Sequence, residues 1–281
     1  MFGMNVAITG ASGMIGRRLG KRLGEAGHKV LAIPRGASVP GCDALVNLSG
    51  EPIAQRWTAA AKKRISESRV EGTLRLASAL SALSPRPRVL VCASAVGIYG
   101  SRGDEILTET SAPGKGFLPQ VVMDWERAAR SAEAFNIRVI NLRFGVVLGP
   151  GGALAKMLPA FRLCAGGQLG SGRQWMSWIH IEDAVSLILF AIESAALEGA
   201  LNATAPNPVT NAEFTRTLAR SLHRPAIFPV PAFALKLLFG EMSEVLLDSQ
   251  RVIPAAAQTT GFRFHYPHLS AALNDLLTAG T

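Results

Sequence analysis

The chain has 281 residues, of which 48% are hydrophobic and 17% charged, so it can bury a sizeable core and is not a mainly disordered protein. At about 150 residues per domain, this length predicts one or two domains. The net charge is +9, and the excess lies in residues 1–150, which hold 20 basic and 11 acidic residues. Because the basic residues are scattered, they argue against a nucleic-acid partner and favour a smaller polyanion.

The cysteines and the apolar runs indicate the cellular compartment of the protein. The three cysteines, Cys42, Cys92 and Cys164, form no C-x-x-C pair, which argues against a disulfide framework or a metal site and favours a reducing compartment. No signal peptide is evident, and the most apolar run, residues 226–240, is interrupted by two prolines and a lysine. We therefore expect a cytoplasmic protein that has no metal site and no membrane partner.

Short apolar runs alternate with helical patterns along the chain. This alternation predicts parallel strands joined by crossover helices, because strands buried on both faces are continuously apolar. The predicted elements are strand 6–9, helix 15–26, strand 30–33, strand 44–48, helix 58–83, strand 89–93, helix 120–135, strand 139–142, helix 181–194, strand 200–203 and helix 211–222 with Asn211 as its N-cap. The predicted fold class is α/β, with a Rossmann-type, doubly wound, mostly parallel sheet and a small C-terminal α/β domain on the substrate side.

A glycine-rich segment, residues 10–16, follows the first predicted strand and opens the first predicted helix. In its G-x-x-G-x-x-G spacing, the first glycine permits a tight turn, the second lets the backbone approach a pyrophosphate and the third lets helix and strand pack closely. Free N–H groups at the helix start then face the anion. We predict a dinucleotide site formed by Gly10, Ser12, Gly13, Met14, Ile15 and Gly16.

The residue after the second strand distinguishes between the two nicotinamide cofactors. An NAD site normally has an acidic residue about 20 residues beyond the glycines, but Arg35 stands there. A guanidinium binds a 2′-phosphate that a carboxylate would repel, which predicts NADP(H). The ends of later strands and a helix that returns over the cofactor add Leu48, Ser49, Gly50, Arg69, Ala93 and Ser94 to the predicted site. For Arg69, an ordinary helix-surface arginine is the alternative.

These assignments divide the chain into two domains that are not contiguous in sequence. Residues 1–150, completed by about 178–205, are predicted to form the NADP-binding Rossmann domain. Residues 151–177 and 206–281 are predicted to form the smaller substrate-side domain.

The glycine spacing resembles that of the short-chain dehydrogenase/reductase superfamily. Residues 94–100 (SAVGIYG) resemble the S-S-x-x-V-Y-G segment after the fourth strand of its extended, epimerase/dehydratase-like branch. Further matching segments are 124–126, 143–149, 170–180, 202–211, 249–254 and 261–267. On these motifs, which cover nearly the whole chain, it is identified as a member of an atypical extended family labelled epimerase family proteins, nucleoside-diphosphate-sugar epimerases or cell-division inhibitors.

The resemblance implies a catalytic Tyr and Lys in a Y-x-x-x-K motif, and this chain departs from that pattern. Neither Tyr99 nor Tyr266 has a lysine four residues later. If Glu126 corresponds to the Glu that follows the motif, Leu118 stands at the Tyr position and Val122 at the Lys position. The usual acid/base pair is then replaced by apolar residues.

Three polar side chains are candidates for a non-standard proton donor: Ser94, Tyr99 and His180. The alternatives are a strand-end serine bonded to backbone, a structural Tyr-Gly turn and a hydrogen-bonded structural histidine.

A glycine loop with a guanidinium and two indoles, at Arg173, Trp175 and Trp178, is a candidate pocket for a small-molecule substrate, including one like a nucleotide sugar. Ordinary packing is the alternative.

Two function classes stay open. One is an NADP(H)-dependent oxidoreductase or sugar-nucleotide-epimerase-like enzyme without the Tyr-Lys pair. The other is a non-enzymatic NADP(H)-binding regulator or sensor. An apolar wall facing the nicotinamide favours the second. A homodimer is left open.

Overall fold

The computed structural model describes residues 3–278. The elements up to residue 148 are β1 (Asn5–Thr9), α1 (Met14–Glu25), β2 (Lys29–Ile33), β3 (Ala44–Asn47), α2 (Ala59–Ser81), β4 (Val89–Ala95), β5 (Ile106–Leu107), α3 (Phe117–Arg130), β6 (Arg138–Phe144) and β7 (Val146–Leu148). Those that follow are α4 (Gly152–Arg162), β8 (Trp175–Met176), β9 (Trp178–His180), α5 (Ile181–Glu193), β10 (Gly199–Ala203), β11 (Val209–Thr210), α6 (Asn211–Ser221), α7 (Ala232–Phe239), α8 (Glu244–Leu247), β12 (Arg251–Val252), α9 (Ala255–Thr259) and α10 (Leu269–Thr278).

The central sheet runs in the order β10-β6-β4-β3-β1-β2, and every neighbouring pair is parallel. The chain places β2 on one side of β1 and β3 on the other, so the winding direction reverses there. Ligands of doubly wound sheets bind in the crevice at such a switch point, outside the carboxyl ends of the strands. The predicted Rossmann-type α/β fold is confirmed.

Helices cover both faces of this sheet. Helices α1 and α5 pack together on one face, and α2 and α3 on the other. Within β1, Val6 and Ile8 belong to the first core, whereas Ala7 belongs to the second. This two-sided burial explains why the strands have continuous apolar sequences.

A further core lies outside the central sheet, where α4, α6 and α10 surround the fully buried Trp178. Three two-stranded ladders, β7–β9, β8–β11 and β5–β12, connect this region to the rest of the chain. The division into domains proposed from the sequence stays a prediction.

The sequence-based assignments need two corrections. The helix predicted over 120–135 begins at Phe117 and ends at Arg130, where a 3₁₀ turn takes over. The N-cap of α6 is Thr210 and not Asn211. The Thr210 hydroxyl accepts the N–H of Glu213, and the Glu213 carboxylate accepts the N–H of Thr210, so the two form a capping box. Asn211 instead turns inward and accepts the N–H of Leu169 at 2.7 Å.

Two glycines of α1 provide a matched test of the close packing at its first turn. A Cβ on Gly16 would lie 2.4 Å from the Gly10 carbonyl oxygen, whereas a Cβ on Gly24 would meet nothing within 4 Å. We expect Gly16→Ala to destabilise the protein by about 1–3 kcal/mol, because backbone must move. Gly24→Ala should stabilise it by about 0.5–1 kcal/mol. Urea unfolding measures both, and equal effects would contradict the packing described.

Candidate functional site

The loop between β1 and α1 turns sharply at the carboxyl end of β1. Gly10 has φ +71°, and a Cβ there would lie 2.8 Å from the Leu48 carbonyl group, so both the backbone conformation and the available space require glycine. Gly13 is the N-cap of α1, and no side chain caps this helix end. Since Ser12 and Gly13 are exposed, the first-turn N–H groups lie at the switch point without a side-chain partner. Such an arrangement can bind a phosphate.

Met14 connects the glycine loop to the loop that follows β7. A Cβ on Gly149 would lie 2.9 Å from the Met14 sulfur, and one on Gly152 would lie 3.3 Å from its terminal methyl carbon. Ile15 is half-buried against the sheet. The predicted residues of the first turn therefore lie together, and Met14 lies between the two loops.

A cavity of about 610 Å³ opens at the carboxyl ends of β1, β2 and β3. Arg35, Ser49 and Gly50 line it, as predicted residues, together with Thr9 and Asn47. None of the glycine-loop residues 10–16 lines this cavity. It therefore extends from the end of β1 towards the loop after β2, where Arg35 stands.

One face of α2 forms the other wall of the cavity and was missed from the sequence. Its lining residues are Arg64, Glu67, Ser68, Glu71, Gly72, Arg75, Leu76 and Ala79. Recurrence at 64, 68, 71, 75 and 79 is the spacing of one helix face and was the available signal. Arg64 lies 3.5 Å from Glu51, and Arg75 lies 3.4 Å from Glu71.

Arg69 holds the loop after β3 through its guanidinium group. Its Nη1 donates to the carbonyl oxygens of Glu51 at 3.0 Å and Ile65 at 3.3 Å, and its guanidinium lies over the Trp125 ring. Burial lowers the pKa of Arg69 to about 10, opposed by the nearby Glu51. Arg69 does not itself line the cavity, and its contacts hold the backbone around Gly50, whose Cβ position is 3.2 Å from the guanidinium. Its predicted part in cofactor binding stays a prediction.

At the carboxyl end of β4, Ser94 joins a buried ion pair, while the preceding Ala93 is half-buried. The Ser94 hydroxyl donates to Glu126 Oε1 at 2.6 Å. The same carboxylate accepts two hydrogen bonds from Arg143, from Nε at 2.8 Å and from Nη2 at 2.9 Å. All three polar side chains are buried, so the hydroxyl proton of Ser94 is held by a carboxylate.

Tyr99 extends this network from the opposite side of Arg143. Its phenol donates to Asn202 Oδ1 at 2.8 Å and accepts from Arg143 Nη1 at 2.9 Å. Glu109 completes the set, because its carboxylate accepts the backbone N–H of Asn202 at 3.0 Å and that of Ala256 at 3.2 Å. Burial raises the pKa of Tyr99, although Arg143 opposes the shift. The Tyr99 phenol is fully buried and already paired.

The positions that correspond to the usual Tyr and Lys form apolar contacts. Leu118 is half-buried, and it lies 3.7 Å from the Cβ position of Gly97. Val122 is buried in a cluster with Val96, Tyr99 and other apolar residues. Neither residue lines the cavity described above, and both take part in apolar packing.

His180 ends β9 and caps α5. Its Nδ1 accepts the N–H of Glu182 at 3.2 Å, which leaves the proton of a neutral ring on Nε2. Nε2 lies 3.3 Å from an Asp275 carboxylate oxygen, and the ring packs on Tyr266. Burial lowers the pKa of His180, against the effect of Asp275. These contacts match the structural alternative for His180.

The three candidates for substrate binding have different surroundings. Arg173 is exposed. Trp175 donates from its indole to Asp104 at 2.7 Å, and Arg251 lies 4.3 Å from its ring centroid. Trp178 is fully buried in the core around α6 and donates to the Asn207 carbonyl oxygen. Arg173 is therefore exposed, Trp175 is half-buried with its indole and ring already in contact with other side chains, and Trp178 is a packing residue.

Within residues 3–278, no group of three or more His, Cys, Asp or Glu side chains could hold a metal ion.

Comparison with known families agrees with this geometry. The profile of the NAD dependent epimerase/dehydratase family matches residues 36–203, which is more than half of the chain. The chain belongs to this family. A domain of unknown function, DUF1731, matches residues 230–276. Since the epimerase/dehydratase match starts beyond residues 10–16, the glycine loop supports the assignment independently.

Relatives within the epimerase family cover nearly the whole chain. It is 39% identical over 297 residues to the epimerase family protein YfhF of Bacillus subtilis, covering 98% of each. It is 41% identical to the chloroplastic SDR39U1 homolog of Arabidopsis thaliana, covering 98% of this chain and 87% of that protein. The crystal structure of human epimerase family protein SDR39U1 with NADPH matches with a TM-score of 0.93 at 35% identity, covering 98% of this chain and 99% of that one. The resemblance stated from the motifs is confirmed.

In this epimerase family member, the buried ion pair should dominate the stability of the site. We expect Glu126→Gln to cost about 3–5 kcal/mol, because it leaves the Arg143 guanidinium buried without its counter-charge. Ser94→Ala removes one hydrogen bond and should cost about 1–2 kcal/mol. Asp124→Asn is the control on the same helix, since its exposed pair with Arg127 contributes about 0–1 kcal/mol. Chemical denaturation that ranks Asp124→Asn with Glu126→Gln would refute this account.

Proposed function

We propose that the protein binds NADP(H) at the switch point, with the pyrophosphate at the first turn of α1 and the 2′-phosphate beside Arg35. Arg35 carries the proposal because it stands on the cavity wall at the end of β2. Within the described part of the chain it forms no ion pair, whereas Arg64 and Arg75 on the facing wall are each paired with a carboxylate. Its charge is therefore available to a ligand.

The residues at the proposed site fit the phosphate groups of a dinucleotide. Gly10 keeps the loop close to Leu48, and the exposed backbone of Ser12 and Gly13 leaves room beside the free N–H groups of α1. The likeness to the human protein crystallised with NADPH supports the same choice of cofactor.

We further propose that the protein acts as an NADP(H)-binding regulator or sensor. A bound nicotinamide supplies hydride transfer, and an enzyme would have to supply a proton donor near it. The Ser94 hydroxyl is bound to Glu126, the Tyr99 phenol to Asn202, and His180 caps α5. Leu118 and Val122, which stand at the positions of the usual Tyr and Lys, cannot donate a proton. The Ser94 and Tyr99 protons are thus held in structural hydrogen bonds, whereas the buried Nε2 of His180 has no hydrogen-bond partner within residues 3–278 and lies 3.3 Å from an Asp275 carboxylate oxygen.

An oxidoreductase or sugar-nucleotide-epimerase-like enzyme is the second candidate, and membership of the epimerase/dehydratase family favours it. In this case the substrate or a water molecule supplies the proton. Arg173 and Trp175 would contact a small-molecule substrate of the nucleotide-sugar type. A cytoplasmic location and a homodimer also stay proposals from the sequence.

The cofactor assignment predicts a selective effect of Arg35. We expect Arg35→Ala to weaken NADPH binding by about tenfold or more, since it removes a charge-assisted contact to the 2′-phosphate. NADH binding should change by less than about twofold. Titration followed by nicotinamide fluorescence measures both, with Arg130→Ala as an exposed control. Equal loss for the two cofactors would remove Arg35 from the 2′-phosphate site.

The sensor role predicts binding without turnover. NADPH incubated with the protein and a panel of aldehydes, ketones and nucleotide sugars should stay reduced, as followed at 340 nm (a wavelength specific to the reduced nicotinamide). The Ser94→Ala variant should bind NADPH as tightly as the wild type. NADPH oxidation that the wild type catalyses and Ser94→Ala slows would instead establish the enzymatic candidate.

A further inference from the structure

Large apolar side chains are left exposed in one short segment near α7. Of the ten exposed large hydrophobic residues within 3–278, seven lie between 227 and 245. Five of them are between 63 and 75% exposed and are here named the apolar patch: Ile227, Phe228, Phe233, Leu237 and Leu238. This density exceeds the single scattered apolar residues that an ordinary protein surface carries.

The part of this segment that holds the five most exposed residues carries Lys236 and no acidic residue, and Glu241 and Glu244 follow it. Residues 214–240 contain no Asp or Glu. Arg216, Arg220 and Arg224, here named the basic cluster, line an open depression of about 540 Å³ together with His223. Among the described residues none of the three forms an ion pair. Ala226 also lines this depression and leads directly to Ile227, so the basic cluster continues along the chain into the apolar patch.

Helix α7 shows how the apolar patch is presented. Leu235 is buried, whereas Phe233 and Leu237 are exposed one turn apart on the same helix face. Lys236 lies beside them, and its long stem can follow an apolar surface while its ammonium group reaches water. No helix in the described part of the chain has both the length and the apolar character needed to cross a membrane. Helix α7 is instead suited to lie on a surface.

We propose that the apolar patch and the basic cluster dock the protein onto an anionic lipid surface. Phe233, Leu237 and their neighbours enter the interface between headgroups and acyl chains. The arginines attract the negative headgroups. The sequence expectation of no membrane partner rested on the absence of a span, and surface docking requires none.

The charges favour a lipid surface over a second copy of the chain. A two-fold contact centred on the basic cluster would bring the arginines of the two copies together, since such an interface pairs the same surface with itself. An anionic surface neutralises the cluster instead. The protruding side chains also suit a deformable lipid layer, which needs no preformed groove.

Vesicle co-sedimentation of the full chain tests the proposal. We expect binding to phosphatidylcholine vesicles that contain 30 mol% phosphatidylglycerol, weaker binding at higher salt, and little binding to phosphatidylcholine alone. Leu237→Ser should weaken binding by about tenfold, because one large apolar side chain leaves the lipid. The double variant Arg220→Glu with Arg224→Glu should weaken it by more than about tenfold.

Two matched controls distinguish the effects of changing the apolar patch or the basic cluster from the general effects of such substitutions. Leu74→Ser changes an exposed leucine of α2, and Arg127→Glu with Arg130→Glu reverses two exposed charges of α3. Both controls should bind as the wild type does. Phe233→Trp keeps an aromatic side chain, so its quenching by brominated lipids reports insertion even if Leu237→Ser does not fold.

Several results would overturn the proposal. One is no binding to anionic vesicles together with no quenching of Phe233→Trp. Another is binding that is retained both by Leu237→Ser and by the double variant Arg220→Glu with Arg224→Glu, which would place the lipid site elsewhere. Binding that only the charge reversal abolishes would indicate a soluble acidic partner. A dimer in sedimentation velocity that Leu237→Ser dissociates, without vesicle binding, would assign the apolar patch to a second copy.

Discussion

The crevice depends on the buried ion pair between Glu126 and Arg143. Two charges withdrawn from water are tolerated only when their geometry and their remaining hydrogen bonds are nearly complete. Here the carboxylate also accepts from Ser94, and the guanidinium also donates to Tyr99. Through these contacts α3, β4, β6 and the turn after β4 are fixed relative to one another. The carboxyl end of the sheet owes its shape to this arrangement.

The same arrangement determines what the crevice can do. A hydroxyl or phenol that completes the solvation of a buried charge is not free to exchange a proton with a ligand, unless the network first opens. Opening it exposes an unpaired charge in a site of low polarity, which is costly. Stability and acid/base chemistry therefore compete for the same side chains. The edge proposed to bind phosphate is separate from this competition, because backbone N–H groups and Arg35 would form it.

The fold could be predicted from the sequence because its signals are local, and the proposed cofactor-binding edge depends on local signals as well. Continuous apolar strands, the three glycines and the arginine after β2 each depend on a few neighbouring residues. The partners of Ser94 and Tyr99 could not be predicted, since Asn202 lies 103 residues from Tyr99 along the chain and no periodicity connects them. The wall of α2 was missed although its helical spacing was visible. The N-cap at Thr210 was missed because Asn211 is an equally good capping residue by type.

The apolar packing at Leu118 and Val122 has a consequence for redesign of the protein. Val122 is buried among Val96, Ile98 and Tyr99, so a lysine at this position would place an ammonium group in an apolar cluster. Such a group loses its proton or disturbs the packing around it. Introducing a Tyr at position 118 and a Lys at position 122 would therefore not by itself supply their chemistry. The residues that pack around Val122 would have to change as well, so the conventional Tyr-Lys pair is more than two substitutions away from this chain.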